Sequence, residues 1–330
     1  MSTSENELNA LGEFGLIHHL TRELQSDPDL IQGVGDDCAV LGIGEEQWLV
    51  STDAVVEGVH FDRDFATMYD IGWKSAAAAV SDIAAMGGIP RFVLVSMAIP
   101  RNAPLEEMEQ LYRGISDLVK QMQAVIVGGD TTRSPDRIFI DFTVIGVNGP
   151  GRCLLRSGSR PGDVIAVTGY PGDSAAGLLA LQKNVDAPEL RQAHLHPSPR
   201  CAEGQWLSLQ QGVHAMIDLS DGLLQDCDHL AQAARLHFHL ESNVLPVSPY
   251  LQQYADALEV DPLLLVLSGG EAYELIFTMS PGRVTRIQQE FEARFNLPCS
   301  LIGKVSRSEK VGVQVNGDYP EQHGFDHFRS

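Results

Sequence analysis

The chain has 330 residues, of which 44% are hydrophobic, and its formal net charge at pH 7 is −21. This length and apolar content exclude a disordered chain and allow one large domain or two ordinary ones. The strong acidity, without a basic stripe, argues against a nucleic-acid partner. An acidic protein that binds an anionic ligand needs cations between them, so the composition is compatible with a metal-dependent site.

The sequence predicts a cytoplasmic protein. The N-terminus lacks a basic segment and a long apolar run, so no signal peptide is expected, and no stretch has the apolar length of a membrane span. The cysteines are odd in number and widely spaced, without a CxxC pair, which argues against a disulfide framework and a structural zinc site. They are Cys38, Cys153, Cys201, Cys227 and Cys299.

Helical and strand patterns alternate through the first half of the chain. An Ala-rich stretch at residues 69–86 predicts a helix, and Gly87-Gly88 after it is a helix stop signal. Residues 104–123 also have helical spacing, with acidic residues in the first turn. Apolar or alternating runs predict strands at 48–50, 92–99, 124–127 and 137–147.

A dense turn cluster at residues 148–151 predicts a domain boundary. The alternation resumes after it, with a strand at 163–168, a helix from Ser174, an acidic turn after Met216-Ile217, a helix to about residue 236 and an apolar run at 263–267. Such alternation predicts a protein of mixed α and β structure.

Six carboxylates share one local setting, because most lie at the end of an apolar run or beside glycines. Such positions place a side chain at the mouth of a cleft, where glycine lets the backbone approach a phosphate closely. Mg²⁺ prefers hard oxygen ligands and usually binds one or two carboxylates together with substrate phosphates. The sequence therefore predicts a site for Mg²⁺ ions and a polyphosphate nucleotide. The six residues are Asp37, Asp53, Asp82, Asp130, Asp218 and Asp221.

Each acidic motif taken alone also has a structural explanation, since Asp, Gly, Ser and Thr form ordinary turns and helix caps. Asp163 and Asp173 are interpreted in this way, as a turn residue and a cap. The DLSDGL and GGD motifs are harder to explain as ordinary turns or caps, because each directly follows a predicted strand of the buried type. Other signatures are missing, namely GxxxxGK[ST], GxGxxG after a strand, the HRD and DFG kinase set and GxSxG.

Taken in order, the motifs resemble those of the thiamine-monophosphate kinase family, within the aminoimidazole-ribonucleotide synthetase superfamily. The resemblance covers nearly the whole chain, from GEFGLI at residues 12–17 to GFDHF at residues 324–328. Between them lie GDDCAV, STDAVVEGVHF, SDIAAMGG, GGDTTRS, RSGSRPGD, TGYPGDSAAGL, HLHPSPR, DLSDGL and SGGEAYEL.

This resemblance implies a two-domain α/β (α+β) fold of the aminoimidazole-ribonucleotide synthetase type. Residues 1–149 would form a mixed sheet with helices that binds ATP and Mg²⁺ and forms a homodimer. Residues 150–330 would form a C-terminal α/β domain that completes the ATP and substrate site.

The resemblance also implies direct transfer of the γ-phosphoryl group of ATP to thiamine monophosphate. The implied Mg²⁺ ligands are Asp37, Thr52, Asp53, Asp82, Asp130, Asp218 and Asp221, with Ser51 joining through its backbone. The implied ATP contacts are Tyr112, Gly129, Asp130, Arg156 and Ser220, and the implied substrate contacts are His60, Glu271 and Phe325. Asp130, Arg156, Asp218 and Asp221 are the expected catalytic residues.

An aspartate-rich site that is poor in bases suits this reaction. The second pKa of a phosphate monoester is about 6, so the attacking oxygen is already largely ionised at neutral pH. The site must therefore neutralise charge rather than remove a proton. Arg156 can add a fixed positive charge with forked donors.

The thiamine end of the substrate has matching candidates. Glu271 can accept a hydrogen bond from the aminopyrimidine amine, and His60 can hold the substrate phosphate. Phe325 is either a stacking face or a tail aromatic that covers the core, and Tyr112 has the spacing of a core residue. Ala272 departs from the Asp that the family usually has at this position.

Two other classes of function compete with this interpretation. A different enzyme of the superfamily would act on another acceptor, such as a carbonyl oxygen or selenide. The selenide type requires a reactive Cys with a Lys near the N-terminus, and residues 1–30 contain neither; a hydrogenase-maturation type requires a C-terminal Cys, whereas this chain ends in HFRS. The second class is a non-catalytic acidic metal-binding module, which would release no ADP with any acceptor.

Overall fold

The computed structural model describes residues 4–149, 152–320 and 324–325. Pro150 and Gly151 of the predicted boundary, and residues 326–328 of the last motif, lie outside the described residues. The helices are α1 Ser4–Thr21, α2 Met68–Ala85, α3 Leu105–Gln121, α4 Asp173–Gln182, α5 Pro188–Leu195, α6 Cys201–Ser208, α7 Leu223–Ala234, α8 Pro249–Leu258, α9 Pro262–Ser268 and α10 Val284–Phe295. The strands are β1 Leu30–Gln32, β2 Ala39–Ile43, β3 Glu46–Val56, β4 Ile89–Pro100, β5 Val125–Ser134, β6 Phe139–Asn148, β7 Val164–Thr168, β8 Val213–Asp218, β9 His237–Leu240, β10 Leu275–Met279, β11 Cys299–Ser306 and β12 Gly312–Val315.

The N-terminal half is a six-stranded mixed sheet in the order β1-β2-β3-β6-β4-β5. Its neighbouring strands are antiparallel except for β4 and β5, which are parallel. One face carries the buried apolar side chains and packs against α2, which in turn packs against α3. Side chains on the other face of β3 and β6, such as those of Thr52 and Asp141, are partly or fully exposed.

Helix α2 begins with a reciprocal cap and crosses α3 at close range. The Thr67 side chain accepts from the Asp70 amide while Asp70 accepts from the Thr67 amide, which stabilises the first turn. A Cβ on Gly72 would lie 2.0 Å from the Leu111 carbonyl oxygen, and one on Gly114 would lie 2.1 Å from that of Tyr69. Only glycine at both positions allows the two helix backbones to approach this closely.

The C-terminal half is a second six-stranded sheet in the order β12-β9-β11-β7-β10-β8. Its pairs are antiparallel except for β9 and β12. Its two faces bury separate apolar clusters, one under α4, α7 and α9 and the other under α6 and α10. The predicted alternation of helices and strands is therefore present in both halves.

The two halves meet along α2, which packs against α5, α6 and β8 of the C-terminal half. A helix predicted from its alanine content thus supplies residues to both halves. Small side chains on its buried faces let neighbouring elements approach from both sides.

The sequence predicts that the GGD motif follows a strand, and this prediction is wrong. The strand predicted at 124–127 continues through the motif as β5, so Gly129 and Asp130 lie inside a strand rather than after one. β5 is also an edge strand with exposed apolar side chains: Val125 is 57% and Val127 is 53% exposed. Asp53 likewise lies within β3, and Asp82 within α2, so the acidic residues are not all in turns.

Among the residues that the structure describes, no helix combines the length and apolarity that a membrane span needs. All five cysteines are free, and four of them are buried.

Candidate functional site

A cleft of about 1600 Å³ lies between the two halves. One wall consists of β3, α2 and the loop after β3, and the other consists of the turn after β8, the loop before β10 and the segment 324–325. The cleft brings together most of the residues expected to bind metal, nucleotide or substrate: Asp53, His60, Asp82, Arg156, Asp218, Ser220, Asp221, Glu271 and Phe325 line it.

Three carboxylates converge on one wall of the cleft. One oxygen from each of Asp37, Asp82 and Asp218 lies within 4.8 Å of the others. They come from the turn before β2, the buried face of α2 and the last residue of β8, so only the tertiary fold brings them together. The Ser51 hydroxyl, from β3, donates a hydrogen bond to Asp82.

Burial and repulsion from neighbouring carboxylates make Asp82 and Asp218 resist ionisation. Burial, with Asp218, Asp53 and Asp37 nearby, raises the pKa of Asp82 well above its ordinary value. Burial and Asp37 raise the pKa of Asp218 to about 7. A divalent cation would relieve this repulsion, and clustered carboxylate oxygens are the donors that Mg²⁺ prefers. The donor set therefore fits the implied Mg²⁺.

Arg156 connects this cluster to the cleft. Its guanidinium forks the Asp37 carboxylate, and its backbone amide donates to Asp36 Oδ2 at 3.1 Å. Burial and the neighbouring Asp37 raise the pKa of Asp36 to about 7. Asp36 is not among the residues that the sequence predicts for the site, although it precedes Asp37 directly in GDDCAV.

Asp226 holds the DLSDGL turn in place and was also missed. Its buried carboxylate accepts the backbone N–H groups of Ser220, Asp221 and Gly222 at 3.1–3.2 Å. Asp226, Asp221 and His229 form a second group of close ligand atoms. The amide contacts already use one Asp226 oxygen, which indicates a supporting role for this residue. The sequence could have indicated this supporting role, since Asp226 lies in the first turn of α7, where its side chain can accept hydrogen bonds from the loop before the helix.

Glu271 lies on the same wall as the acidic turn, where its amide donates to the Ser220 carbonyl, and beside a buried lysine. Lys74 Nζ, from α2, lies 2.7 Å from Glu271 Oε1 and 3.1 Å from His194 Nε2. Burial alone would raise the pKa of Glu271, but Lys74 holds it below its ordinary value. The sequence analysis assigned no role to Lys74 or His194. The signals were the single basic residue of α2 and the HLHPSPR motif, which contains His194.

His60 and Phe325 also face the cleft. His60 Nδ1 accepts the Val56 amide at 3.1 Å, so the ring proton lies on Nε2. Phe325 is 50% exposed, which excludes its alternative interpretation as a core aromatic. The Phe325 backbone is anchored to the acidic turn, because the Phe325 amide donates to the Asp221 carbonyl. The Gln225 side chain donates to the Phe325 carbonyl.

Ala272 lies beside the substrate candidates but outside the cleft lining. It packs against the apolar core of the C-terminal half. Glu271 and Tyr273 on either side have φ values of 62° and 51°, which are unusual for residues other than glycine. The replacement of the usual Asp of the family by Ala272 therefore changes a contact with the core.

Six predicted residues are outside the cleft lining. Asp37 and Ser51 still bond to the lining residues Arg156 and Asp82, whereas the other four do not reach the cleft in the single chain. Asp130 shares a row of paired residues with Ser96, Asp141 and Ala54, and paired residues project from the same face of a sheet. That face is opposite to the one carrying Asp53. Thr52 projects from the same outer face and donates to Asp141 at 3.1 Å. Gly129 and Tyr112 complete this group of four.

Tyr112 is 39% exposed on α3, so the interpretation of its spacing as a core position is wrong. The neighbouring Leu111 fills the core position instead. Tyr112 is not among the residues that line the cleft within one chain.

Asp163 and Asp173 have structural roles. Asp163 closes a turn by accepting the Arg160 amide at 2.8 Å, as predicted, and lies 2.9 Å from His214 Nδ1. Asp173 is the first residue of α4 rather than its cap, which is Gly172. Its carboxylate accepts the Ser248 hydroxyl at 2.6 Å.

Comparison with known proteins places both halves in known domain families. Residues 35–148 match the family profile described as "AIR synthase related protein, N-terminal domain", and residues 160–316 match the corresponding C-terminal domain. A solved structure described as "AaThiL complexed with AMPPCP and TMP" is 32% identical, with a TM-score of 0.85 over 97% of this chain and 98% of that chain. The predicted two-domain fold is thereby confirmed.

Full-length relatives share one name. The chain is 40% identical over 330 residues to the thiamine-monophosphate kinase of Escherichia coli strain K12, covering 97% of this chain and 99% of that protein. It is 34% identical over 336 residues to the thiamine-monophosphate kinase of Bacillus subtilis strain 168, covering 97% and 100%.

Proposed function

The chain belongs to the thiamine-monophosphate kinase family, and on this basis we propose that it transfers the γ-phosphoryl group of ATP to thiamine monophosphate, forming thiamine diphosphate and ADP. The observation that carries the proposal is the cleft, whose lining includes the carboxylates of Asp82 and Asp218, the guanidinium of Arg156, and Glu271. One cleft therefore offers groups suited to phosphate together with a carboxylate suited to the amine of an organic cation.

The chemistry requires little proton transfer. The phosphate of the acceptor is largely ionised at neutral pH, so an oxygen of thiamine monophosphate attacks the γ-phosphorus without a general base. The bond from the γ-phosphorus to the β,γ-bridging oxygen breaks, and ADP leaves. The obstacle is repulsion between two anions, which positive groups at the site must offset.

Asp37, Asp53, Asp82 and Asp218 are the proposed Mg²⁺ ligands in the cleft of one chain, with Asp221 beside them and Ser51 contributing through its backbone. Bound Mg²⁺ would neutralise phosphate charge and hold the two phosphates in line. Arg156, held by Asp37, directs fixed N–H donors toward the nucleotide phosphates, and Ser220 contacts the nucleotide from the acidic turn. Arg156, Asp218 and Asp221 are accordingly the catalytic residues that we assign within one chain.

The thiamine end is assigned to three residues from the two walls of the cleft, Glu271, Phe325 and His60. Glu271 accepts a hydrogen bond from the aminopyrimidine amine, and Phe325 stacks on a ring of the substrate. His60 donates from Nε2 to the substrate phosphate. Each of these side chains lines the cleft. The His60 ring accepts the Val56 amide, and the amides of Glu271 and Phe325 donate to carbonyls of the acidic turn.

The active form is proposed to be a homodimer that assembles through the N-terminal sheet. The exposed edge of β5 and the outer face that carries Thr52 and Asp130 support this arrangement. In this dimer, Tyr112, Gly129 and Asp130 of the second copy are proposed to complete the first copy's site. The sequence division at residue 149/150 remains the proposed boundary between the two domains.

The compartment is proposed to be the cytoplasm, which five free cysteines support. ADP release is the direct test of the proposed activity. We expect ADP formation to depend on thiamine monophosphate and Mg²⁺ and to be absent with thiamine or with aminoimidazole precursors. Turnover with another acceptor, but not thiamine monophosphate, would identify a different enzyme of the superfamily. No ADP release with any acceptor would favour a non-catalytic metal-binding module.

A further inference from the structure

Four side chains from both halves form a largely buried group at the cleft: Lys74, Ser174, His194 and Glu271. We call this group the Lys74 cluster. Lys74 is 8%, His194 is 3% and Ser174 is 2% exposed, whereas the Glu271 side chain is partly exposed at the cleft. The four residues come from α2, α4, α5 and the loop before β10. Lys74 is the only member of the cluster from the N-terminal half.

The hydrogen-bond directions in the cluster follow from chemistry. An ammonium group has donors only, so His194 Nε2 must accept from Lys74 at 3.1 Å. The ring proton of His194 then lies on Nδ1 and donates to Ser174 Oγ at 3.2 Å. Burial and then Lys74 lower the pKa of His194 to about 4, so the ring is neutral at pH 7 and matches this arrangement.

Lys74 is therefore committed on two sides. One donor faces His194, and another faces Glu271 Oε1 at 2.7 Å. A buried ammonium without partners is strongly unfavourable, so these contacts fix the position of Nζ. Glu271 is fixed from its backbone as well, since its amide donates to the Ser220 carbonyl at 2.7 Å and the Tyr273 amide donates to the Leu219 carbonyl at 2.8 Å.

We infer that Lys74 is a positioning residue for Glu271, with His194 and Ser174 holding Lys74 from behind. Lys74 occupies Glu271 Oε1, whereas Oε2 lies 3.9 Å from His194 Nδ1, beyond hydrogen-bond distance, and so keeps its acceptor capacity for the substrate amine. The inference rests on the proposed role of Glu271 in binding the aminopyrimidine amine. Lys74 thereby contributes to substrate recognition without having to touch the substrate.

The orientation imposed by Lys74 has a specific consequence for Glu271→Gln. A glutamine side chain would turn its carbonyl oxygen toward Lys74, because Lys74 can only donate. Its NH₂ group would then face the substrate amine, donor against donor. In a Lys74→Met background the amide is free to turn over and offer its oxygen to the substrate.

The test is a double-mutant cycle on steady-state kinetics, with Lys74→Met, Glu271→Gln and the double variant. Each single change is expected to raise KM for thiamine monophosphate by about tenfold to a hundredfold, the range for a hydrogen bond to a charged group, with KM for ATP little changed. In the Glu271→Gln background, Lys74→Met should add no further loss or should restore part of the affinity. Lys120→Met, at an exposed position on α3, is the matched control and should leave both KM values unchanged.

Equal losses from Lys74→Met in both backgrounds would overturn the positioning role, since they would reflect a direct substrate contact or a general structural effect. If Lys74→Met does not fold, as judged by thermal unfolding and ATP binding, His194→Phe provides the same comparison with a smaller expected rise in KM. If Glu271 variants leave KM for thiamine monophosphate unchanged while the wild type turns over, the role of Glu271 is overturned together with that of Lys74. Absence of wild-type turnover would instead contradict the proposed function.

Discussion

Arg156 forks the carboxylate of Asp37, with Nη2 2.7 Å from Oδ1 and Nε 3.3 Å from Oδ2. The Asp37 side chain is only 1% exposed, so the fork takes place at a buried anchor, while the arginine itself lines the cleft. One side chain thereby connects the carboxylate cluster to the space proposed for the nucleotide phosphates. The geometry requires a planar group with donors on two nitrogens, which lysine does not have.

Arg156→Lys is expected to lower kcat/KM for ATP by about tenfold to a hundredfold, because the positive charge remains while the forked contacts are lost. Initial rates at varied ATP and saturating thiamine monophosphate measure this. Arg152→Lys, at an exposed position four residues earlier, should have no effect. An effect of Arg156→Lys confined to KM for thiamine monophosphate would contradict the assignment to the nucleotide.

Asp218→Asn is expected to abolish turnover yet stabilise the metal-free fold. The folded-state pKa of Asp218 is about 7, above its ordinary value of 3.8, so keeping this group ionised at pH 7 opposes folding. Removing the charge should raise the free energy of unfolding in EDTA by roughly 1–4 kcal/mol. The stabilisation that Mg²⁺ gives the wild type should shrink, because binding to the native state is weakened.

Thermal unfolding with EDTA and with Mg²⁺ tests the Asp218 prediction. Asp163→Asn is the control: it should lower stability, since Asp163 closes a turn and contacts His214, but leave the shift caused by Mg²⁺ intact. An unchanged Mg²⁺ response in Asp218→Asn would show that this carboxylate is not a ligand.

Asp53→Ala and Asp130→Ala should each abolish turnover with little loss of stability, because each removes a proposed metal ligand rather than core volume. The proposed dimer places these two residues of one site on different chains. Co-expressing the two variants should then restore about one quarter of wild-type activity, because half of the dimers are mixed and each mixed dimer has one intact site of two.

A matched pair controls this mixing experiment. Asp53→Ala mixed with Asp218→Ala should remain inactive, since both residues line the cleft of the same chain and every site keeps one defect. No recovery in the Asp53 and Asp130 mixture would argue that Asp130 does not act across an interface.

Asp173→Asn is expected to stabilise the protein at pH 7 but not at pH 4. Burial raises the pKa of Asp173 to about 6 from the ordinary value of 3.8. The folded state therefore binds more protons than the unfolded state between these values, and stability falls as pH rises from about 4 through 6. Asparagine keeps an oxygen for the Ser248 hydroxyl and carries no charge.

The gain from Asp173→Asn at pH 7 should be about 1–3 kcal/mol, with the upper end reached only if solvent screens little of the charge. Chemical denaturation at pH 4, 5, 6 and 7 measures it. The exposed Asp186→Asn should give no comparable pH-dependent gain. Equal stabilisation by Asp173→Asn at pH 4 and pH 7 would contradict a charge effect.

The sequence by itself determined the family and several of the elements. Alanine content with a glycine stop signal placed α2, and helical spacing placed α3, within a few residues of their observed bounds, because these are local properties of the chain. The order of the motifs identified the relatives, and the acidic residues expected near the nucleotide included Asp37, Asp82 and Asp218. Such inferences need only residue types and spacing along one chain.

Only the tertiary structure decided which of these residues meet. The register of β5 against β4 places Asp130 on the outer face of the sheet, although the sequence set it beside Asp53 as an equivalent ligand. The passage of α2 between the halves brings Lys74 to Glu271 across nearly 200 positions of the chain. Periodicity describes one element at a time, whereas strand register and helix docking depend on packing between distant segments, so the face of Asp130 and the partner of Lys74 required the fold.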